Sequence, residues 1–255
     1  MKPLLFSTAL LLSSPLVHAA QGPLKESAIA LSNKYKDAVL FLSAVIEIEI
    51  TAGDNPAKKD ERKLEIIGTV IGKDGLIVVP LSTLDMASTM DGRTVNTPKG
   101  PLKISAKSTT KEVKILMPDG SEVDAKVAAK DPDLDLAFIR PEKPDEVKLT
   151  SINTADSAKL SVLDDVIILG RLDKELNREP VVITSEVVSI VTKPRTFVKI
   201  DESALGMPVF NQDGKFVGFG VSHFNSKSDT DDQRPKASNV ILPAADLMES
   251  AAQAK

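Results

Sequence analysis

At 255 residues the chain is long enough for one large domain or two small ones with proper cores. Its 32 basic and 36 acidic side chains leave a net charge of −4 and are mixed along the sequence, and with no Trp and one Tyr it lacks the basic patch and stacking rings of a nucleic-acid surface. It has no Cys, so the fold rests on its apolar core and not on disulfides.

Residues 1–20, "MKPLLFSTALLLSSPLVHAA", place one early Lys2 before an apolar run. The run closes on small residues, with Val17 and Ala19 at the −3 and −1 places of a cleavage site. This is the pattern of a secretory signal peptide, too short for a membrane anchor, and without a nearby cysteine lipid attachment is excluded. It predicts an exported mature chain, periplasmic or extracellular. No second stretch is long enough to span a membrane.

Residues 24–38 have the apolar spacing of one short helix, after which β signals take over. "VLFLSAVIEIEI" is β-branched and ends in apolar–acidic alternation, the pattern of a half-exposed strand. Asp74-Gly75 and Asp119-Gly120 each supply the turn of a hairpin, "LEIIGTVIGKDGLIVVPL" and "KEVKILMPDGSEVDAKVAAKD". "DLAFIRPE", "DDVIILGRL", "EPVVITSEVVSIV" and "RTFVKID" follow as strands, then the hairpin "PVFNQDGKFVGFGVS" turning at Gly214. A last helix is expected over 243–255, with Pro243 at its start. The polar stretches 51–63 and 85–110 read as long surface loops. Short strands at this spacing indicate an all-β sandwich or barrel.

Few residues offer chemistry. The histidines are His18, in the leader, and His223, which with no thiol rules out the usual His/Cys zinc site. "DPDLD" lacks the ligand spacing of a calcium loop, and Gly-rich phosphate loops are absent. No metal or cofactor is expected.

The order of segments from about residue 25 to 250 resembles the protease domain of HtrA-type (DegP-like) trypsin-fold serine proteases. "IIGTVIGKDGLIVVPLSTLD" is similar to the family's "GSGF-I--DG-I-TN-HVV", and "VKILMPDGSEVDAKVAAKDPDLDLAFIR" to its "V-L-DG----A-V---DP--DLA-L". "SAKLSVLDDVIILGRL", "VVITSEVVSIV", "VKIDESALGMPVFNQDGKFVGF" and "NVILPAADL" follow in family order. The resemblance implies two six-stranded barrels within residues 21–255, one over about 38–143 and one over about 150–243. Their join falls near the proline- and charge-rich 141–151. No PDZ domain is expected.

Carried over residue by residue, the resemblance places the triad His position on Ser82, the Asp position on Asp135 and the Ser position on Leu205. Acyl transfer needs a hydroxyl, an imidazole to take its proton and an acid to hold the imidazole. Here only the acid is in place, and its motif also suits an aspartate that binds nearby backbone N–H groups. The chain is about four residues shorter than the motif between Asp201 and Pro208, which removes the loop of the oxyanion hole. His223 reads as a strand-end side chain, and Ser203 as a stand-in serine without a visible base. These residues imply an inactive protease-like protein that binds peptide or unfolded protein. The strand candidates for backbone pairing are Phe216, Val217, Gly218, Phe219, Gly220, Val221 and Ser222. A peptidase with a rearranged site, or a regulatory or structural subunit assembled with itself or with an active relative, stand beside that reading.

Overall fold

β-Branched residues and alternation produce strands where the sequence predicts them. The computed structural model describes residues 22–98, 100–224 and 237–254, so the leader read at 1–20 lies outside the described residues. A first helix, α1 (Gly22–Tyr35), ends in one 3-10 turn, Lys36–Ala38. Then come β1 (Val39–Ala52), β2 (Lys58–Val70), β3 (Ile77–Pro80), the one-turn α2 (Leu81–Leu84), β4 (Thr94–Thr97), β5 (Gly100–Leu116), β6 (Glu122–Asp131) and β7 (Leu136–Pro141). The antiparallel order β1-β2-β3-β7-β6-β5 closes through pairing of β1 with β5, and β4 is added on β5 outside the ring. A second six-stranded barrel follows, made of β8 (Asp165–Arg171), β9 (Pro180–Val191), β10 (Phe197–Ile200), β11 (Pro208–Asn211), β12 (Phe216–Phe224) and β13 (Ala237–Pro243). The helix α3 (Ala244–Ala251) starts after Pro243.

The stretches read as loops are largely strand. β1 runs to Ala52 and β2 begins at Lys58, so the first excursion shrinks to a short turn. Every residue from Lys58 to Lys63 is exposed. Composition misleads there because this segment carries no core residues of its own. It is ordered by its ladder with β1, whose Ile46 and Ile48 are buried, and by ion pairs from Lys59 to Glu47 and Glu49. In the same way 100–110 borrows order from β1, while Ala87 N–H to Ser108 Oγ (3.0 Å) and Ala106 N–H to Asp91 Oδ1 (2.9 Å) tie the 85–93 segment onto it.

Three apolar clusters build the body. One fills the first barrel around Leu42, Ile46, Ile77, Ile115 and Ile139, and one fills the second around Val166, Ile168, Ile200, Val209 and Ile241. The third lies between the barrels and beneath both long helices, with Tyr35, Phe138, Phe210, Phe216, Phe219 and Leu247. Strand alternation explains the split: Ile167 and Leu169 face the interface, while Ile168 faces the barrel interior. No helix among the described residues is long and apolar enough to cross a membrane.

Two arginines bind the barrels at their rear. The Arg171 side chain, 9% exposed, donates to the carbonyls of Val39, Lys36 (2.8 Å) and Arg178 (2.9 Å). Arg178 forms a two-point pair with Glu65 across the barrels, Nε to Oε2 at 3.0 Å and Nη2 to Oε1 at 2.7 Å. The Arg178 guanidinium holds the Glu65 carboxyl below the usual glutamate range. With the folded pKa depressed, this stabilisation is present above the unfolded glutamate value and is lost as pH falls through the folded one. Arg178→Met should therefore cost about 1 kcal/mol near neutral pH, since the pair is partly exposed. In denaturant titrations its gap from the unsubstituted protein should close below the glutamate range.

Candidate functional site

The site lies where the ends of both barrels meet. Pro80 ends β3, and the chain turns through Leu81, whose N–H donates to the Asp135 carbonyl at 2.9 Å. Asp135 itself sits at φ 58°, a left-handed conformation that a short polar side chain tolerates better than most. Its carboxylate is 7% exposed and accepts three hydrogen bonds. Oδ1 accepts from Ser82 N–H (2.6 Å), and Oδ2 accepts from Ser82 Oγ (3.1 Å) and from Ser222 N–H (2.7 Å). Ser82 belongs to the first barrel and Ser222 to the second, so one buried acid ties both. Burial pushes the Asp135 carboxyl up from the usual aspartate range, against the pull of these donors.

Leu205 lies on the tight connection between β10 and β11. This segment pairs with β12 at a single bridge, Leu205 to Gly220, with Gly206 N–H donating to Gly220 C=O (2.9 Å) and Gly220 N–H to Met207 C=O (3.1 Å). Two glycines make that approach possible. A Cβ on Gly220 would lie 1.8 Å from the Ala204 carbonyl oxygen, and one on Gly206, at φ 78°, would lie 2.6 Å from Ile67 Cγ2. The Thr69 hydroxyl, buried in the first barrel, donates to Gly206 C=O at 3.2 Å. Ala204 is buried in the core of the second barrel, while Leu205 is half-buried.

Of the positions the sequence places in triad register, Ser82 and Asp135 are in contact, and Leu205 pairs two residues from Ser222. His223 follows Ser222, but alternation sends its side chain to the opposite face, where its ring lies tilted with its centroid 4.6 Å from that of Phe197. Ser203 is exposed, and its Oγ accepts from Asn239 Nδ2 at 3.1 Å; Asn239 Oδ1 in turn accepts from Ser222 Oγ at 3.4 Å. Among the described residues no group takes a proton from Ser203. None of them form a cluster of acids or histidines able to hold a metal ion.

The strand candidates fall into two groups. From Phe216 to Gly220 the backbone edges are occupied, by the 156–158 segment at Phe216 and β13 from Gly218 on one side, and by β11 and the 205–207 segment on the other. The narrowing is a correction to the seven-residue reading, since an occupied edge has no groups left to pair. Gly220 and Ser222 both aim N–H away from β13, so by alternation Ser222 C=O and the Phe224 backbone face that side too, beyond the last pairing with the loop. No spacing or motif announces the Asn239 and Thr69 contacts, which join residues far apart in the chain.

Comparison with known proteins agrees with this architecture. Residues 68–219 match the trypsin-like peptidase domain. The chain belongs to that family. Among solved structures it is similar to the HtrA-type protease AlgW, in a serine-to-alanine form, with a tripeptide (11% identity, TM-score 0.55, 89% of this chain and 62% of that one) and with a decapeptide (11%, 0.54, 89% and 67%). It is also similar to the MamO protease domain of Magnetospirillum magneticum in its apo form (16%, 0.48, 85% and 96%). Among curated sequences none matches. The chain spans less than two thirds of the tripeptide-bound AlgW chain.

Two outcomes test the geometry. Asp135→Asn keeps one acceptor oxygen but turns an amide N–H toward donors, so it should destabilise by about 1–3 kcal/mol in chemical denaturation. Because the Asp135 pKa is raised on folding, its contribution is fully present below the unfolded aspartate value and is lost as pH rises through the raised one. The unsubstituted protein should accordingly gain relative to the Asn variant on acidification. Separately, Gly220→Ala should cost about 3 kcal/mol or more by forcing the 204–207 segment off β12, measured by thermal unfolding.

Proposed function

We propose that this trypsin-like peptidase-family protein is an exported pseudoprotease that binds peptide or unfolded protein along the edge of β12. One observation carries the reading: the hydrogen bonds that would hold a catalytic imidazole end on Ser82 instead. Asp135 spends its carboxylate on Ser82 N–H, Ser82 Oγ and Ser222 N–H, and Leu205, where the resemblance calls for a nucleophile, has no atom able to attack a carbonyl. Ser82 is no base near neutral pH. The pressed-in 204–207 segment turns Gly206 N–H to Gly220 C=O and Met207 N–H to Ala204 C=O (2.8 Å), which leaves these amides engaged within the protein.

Peptide pairing requires main-chain groups, not a triad, so it is compatible with these replacements. The Ser222 carbonyl and the Phe224 N–H and carbonyl supply acceptor, donor and acceptor on one strand edge. AlgW, whose fold this chain shares, has been solved with a tripeptide and a decapeptide. The leader-like first 20 residues support export.

The test has two arms on the purified mature chain. Casein turnover and fluorophosphonate labelling should both be at background; labelling abolished by Ser203→Ala would replace this reading with that of a rearranged peptidase. A library of extended peptides should show saturable binding that Phe224→Pro weakens at least tenfold, because proline removes the edge donor while the ladder to β13 uses the alternate residues. An affinity untouched by Phe224→Pro would end the proposal for this edge.

A further inference from the structure

Away from the cleft, the outer wall of the second barrel carries a surface of different character. Val162, Leu163 and Val188 are exposed by 51%, 69% and 46%. They are neighbours: Leu163 N–H donates to Val187 C=O (2.9 Å), and Val187 N–H to Asp164 C=O (3.0 Å). Val188 stands out from its strand because β9 and β10 slip register there, with Lys199 opposite Ser189 and Ile200 opposite Val187. Leu163 is presented at φ 71°, at the tip of its turn. Three branched apolar side chains thus project together into solvent.

Carboxylates ring this apolar tip. Asp165 and Glu186 are directly opposite each other in the β8–β9 ladder, a like-charge pairing that opposes folding. Asp201 N–H donates to Glu186 C=O (3.2 Å) and Glu202 N–H to Ser185 Oγ (3.1 Å), which brings two further acids to the same margin. All four are exposed. Among the described residues, no Lys, Arg or His forms an ion pair with any of them, although thirteen ion pairs occur elsewhere.

We propose that this face docks a polypeptide partner whose contact surface is apolar at its centre and basic around it. Leu163, with Val162 and Val188, forms the dry centre, and Asp165, Glu186, Asp201 and Glu202 form a charged rim that selects for Lys and Arg and speeds encounter. The chemistry excludes an anionic lipid surface or nucleic acid, which the rim would repel. Its apolar centre lies on β9 and the turn before β8, not on β12, so either site can fail without the other.

A short labelled peptide of alternating leucine and lysine serves as probe, titrated against the full chain by fluorescence anisotropy at physiological salt. Saturable binding is expected, weakened at least tenfold by Leu163→Gly and at least tenfold by Asp165→Asn with Glu186→Gln. Glycine suits φ 71°, so Leu163→Gly should leave the thermal midpoint intact or raised and the loss of binding is not a loss of fold. A lysine–serine peptide of equal charge should bind at least tenfold more weakly. No binding, equal binding of the serine peptide, or indifference to Leu163→Gly would each overturn the proposal, the last two by reducing the effect to charge alone. Phe224→Pro should leave this binding unchanged.

Discussion

One buried carboxylate organises the meeting of the two barrels. Asp135 sits at a left-handed turn before β7, and from there it takes N–H groups from α2 of the first barrel and from β12 of the second. Neither N–H belongs to a ladder, so without it the Ser222 N–H would be a buried orphan and the Ser82 N–H a partly buried one. The same contacts fix where Ser82 sits, how β12 runs past the cleft, and which way the Ser222 carbonyl points. The interface core beneath, with Phe138, Phe210 and Phe219, supplies the bulk of the apolar burial, but it is non-directional. The carboxylate gives the junction its register.

The second constraint is steric. The connection from β10 to β11 is short, and it reaches across only because Gly220 and Gly206 have no Cβ where Ala204 and Ile67 press closest. Once there, it saturates the edge of β12 at Gly220 and places Ala204 in the barrel core. Chain length at one connection therefore shapes what the cleft offers, with β12 paired at Gly220 and its edge free of the loop from Ser222 onward.

Much of the fold was legible because its signals are local. The Asp-Gly turns at Gly75 and Gly120 and the turn at Gly214 all have positive φ as their hairpins require, and the β-branched runs lie on the strands they predict. What misled was composition without context. Residues 58–63 are uniformly polar and yet strand, since their order comes from β1 across the ladder and from Lys59 bridging Glu47 and Glu49. The contact of Ser82 with Asp135 could be expected from the family order of segments. The Ser203–Asn239–Ser222 chain could not, because it joins positions from two strands and a turn with no spacing to announce it. The occupied edge at Phe216–Gly220 was hidden for the same reason: pairing partners are a property of the closed barrel, not of the strand's own residues.

The members of a catalytic triad are not equally replaceable, and under the proposed reading this chain illustrates why. A nucleophile and a base face the cleft, where water and substrate meet their polar atoms, so in the proposed reading a leucine or a serine in their place leaves no buried group unsatisfied. The acid is different. Removing the Asp135 carboxylate would strand the N–H groups of Ser82 and Ser222 and the Ser82 hydroxyl in a place that is 7% exposed for the acid itself. Each such loss costs about 1–3 kcal/mol, a large share of a typical domain's net stability. The acid is thus held by the fold's own needs whether or not acyl transfer occurs, and Ser82 fits beside it because a hydroxyl and an N–H fill the acceptor positions an imidazole would otherwise take. An intact Asp135 in such a site is evidence about how the barrels are joined, and says little about turnover.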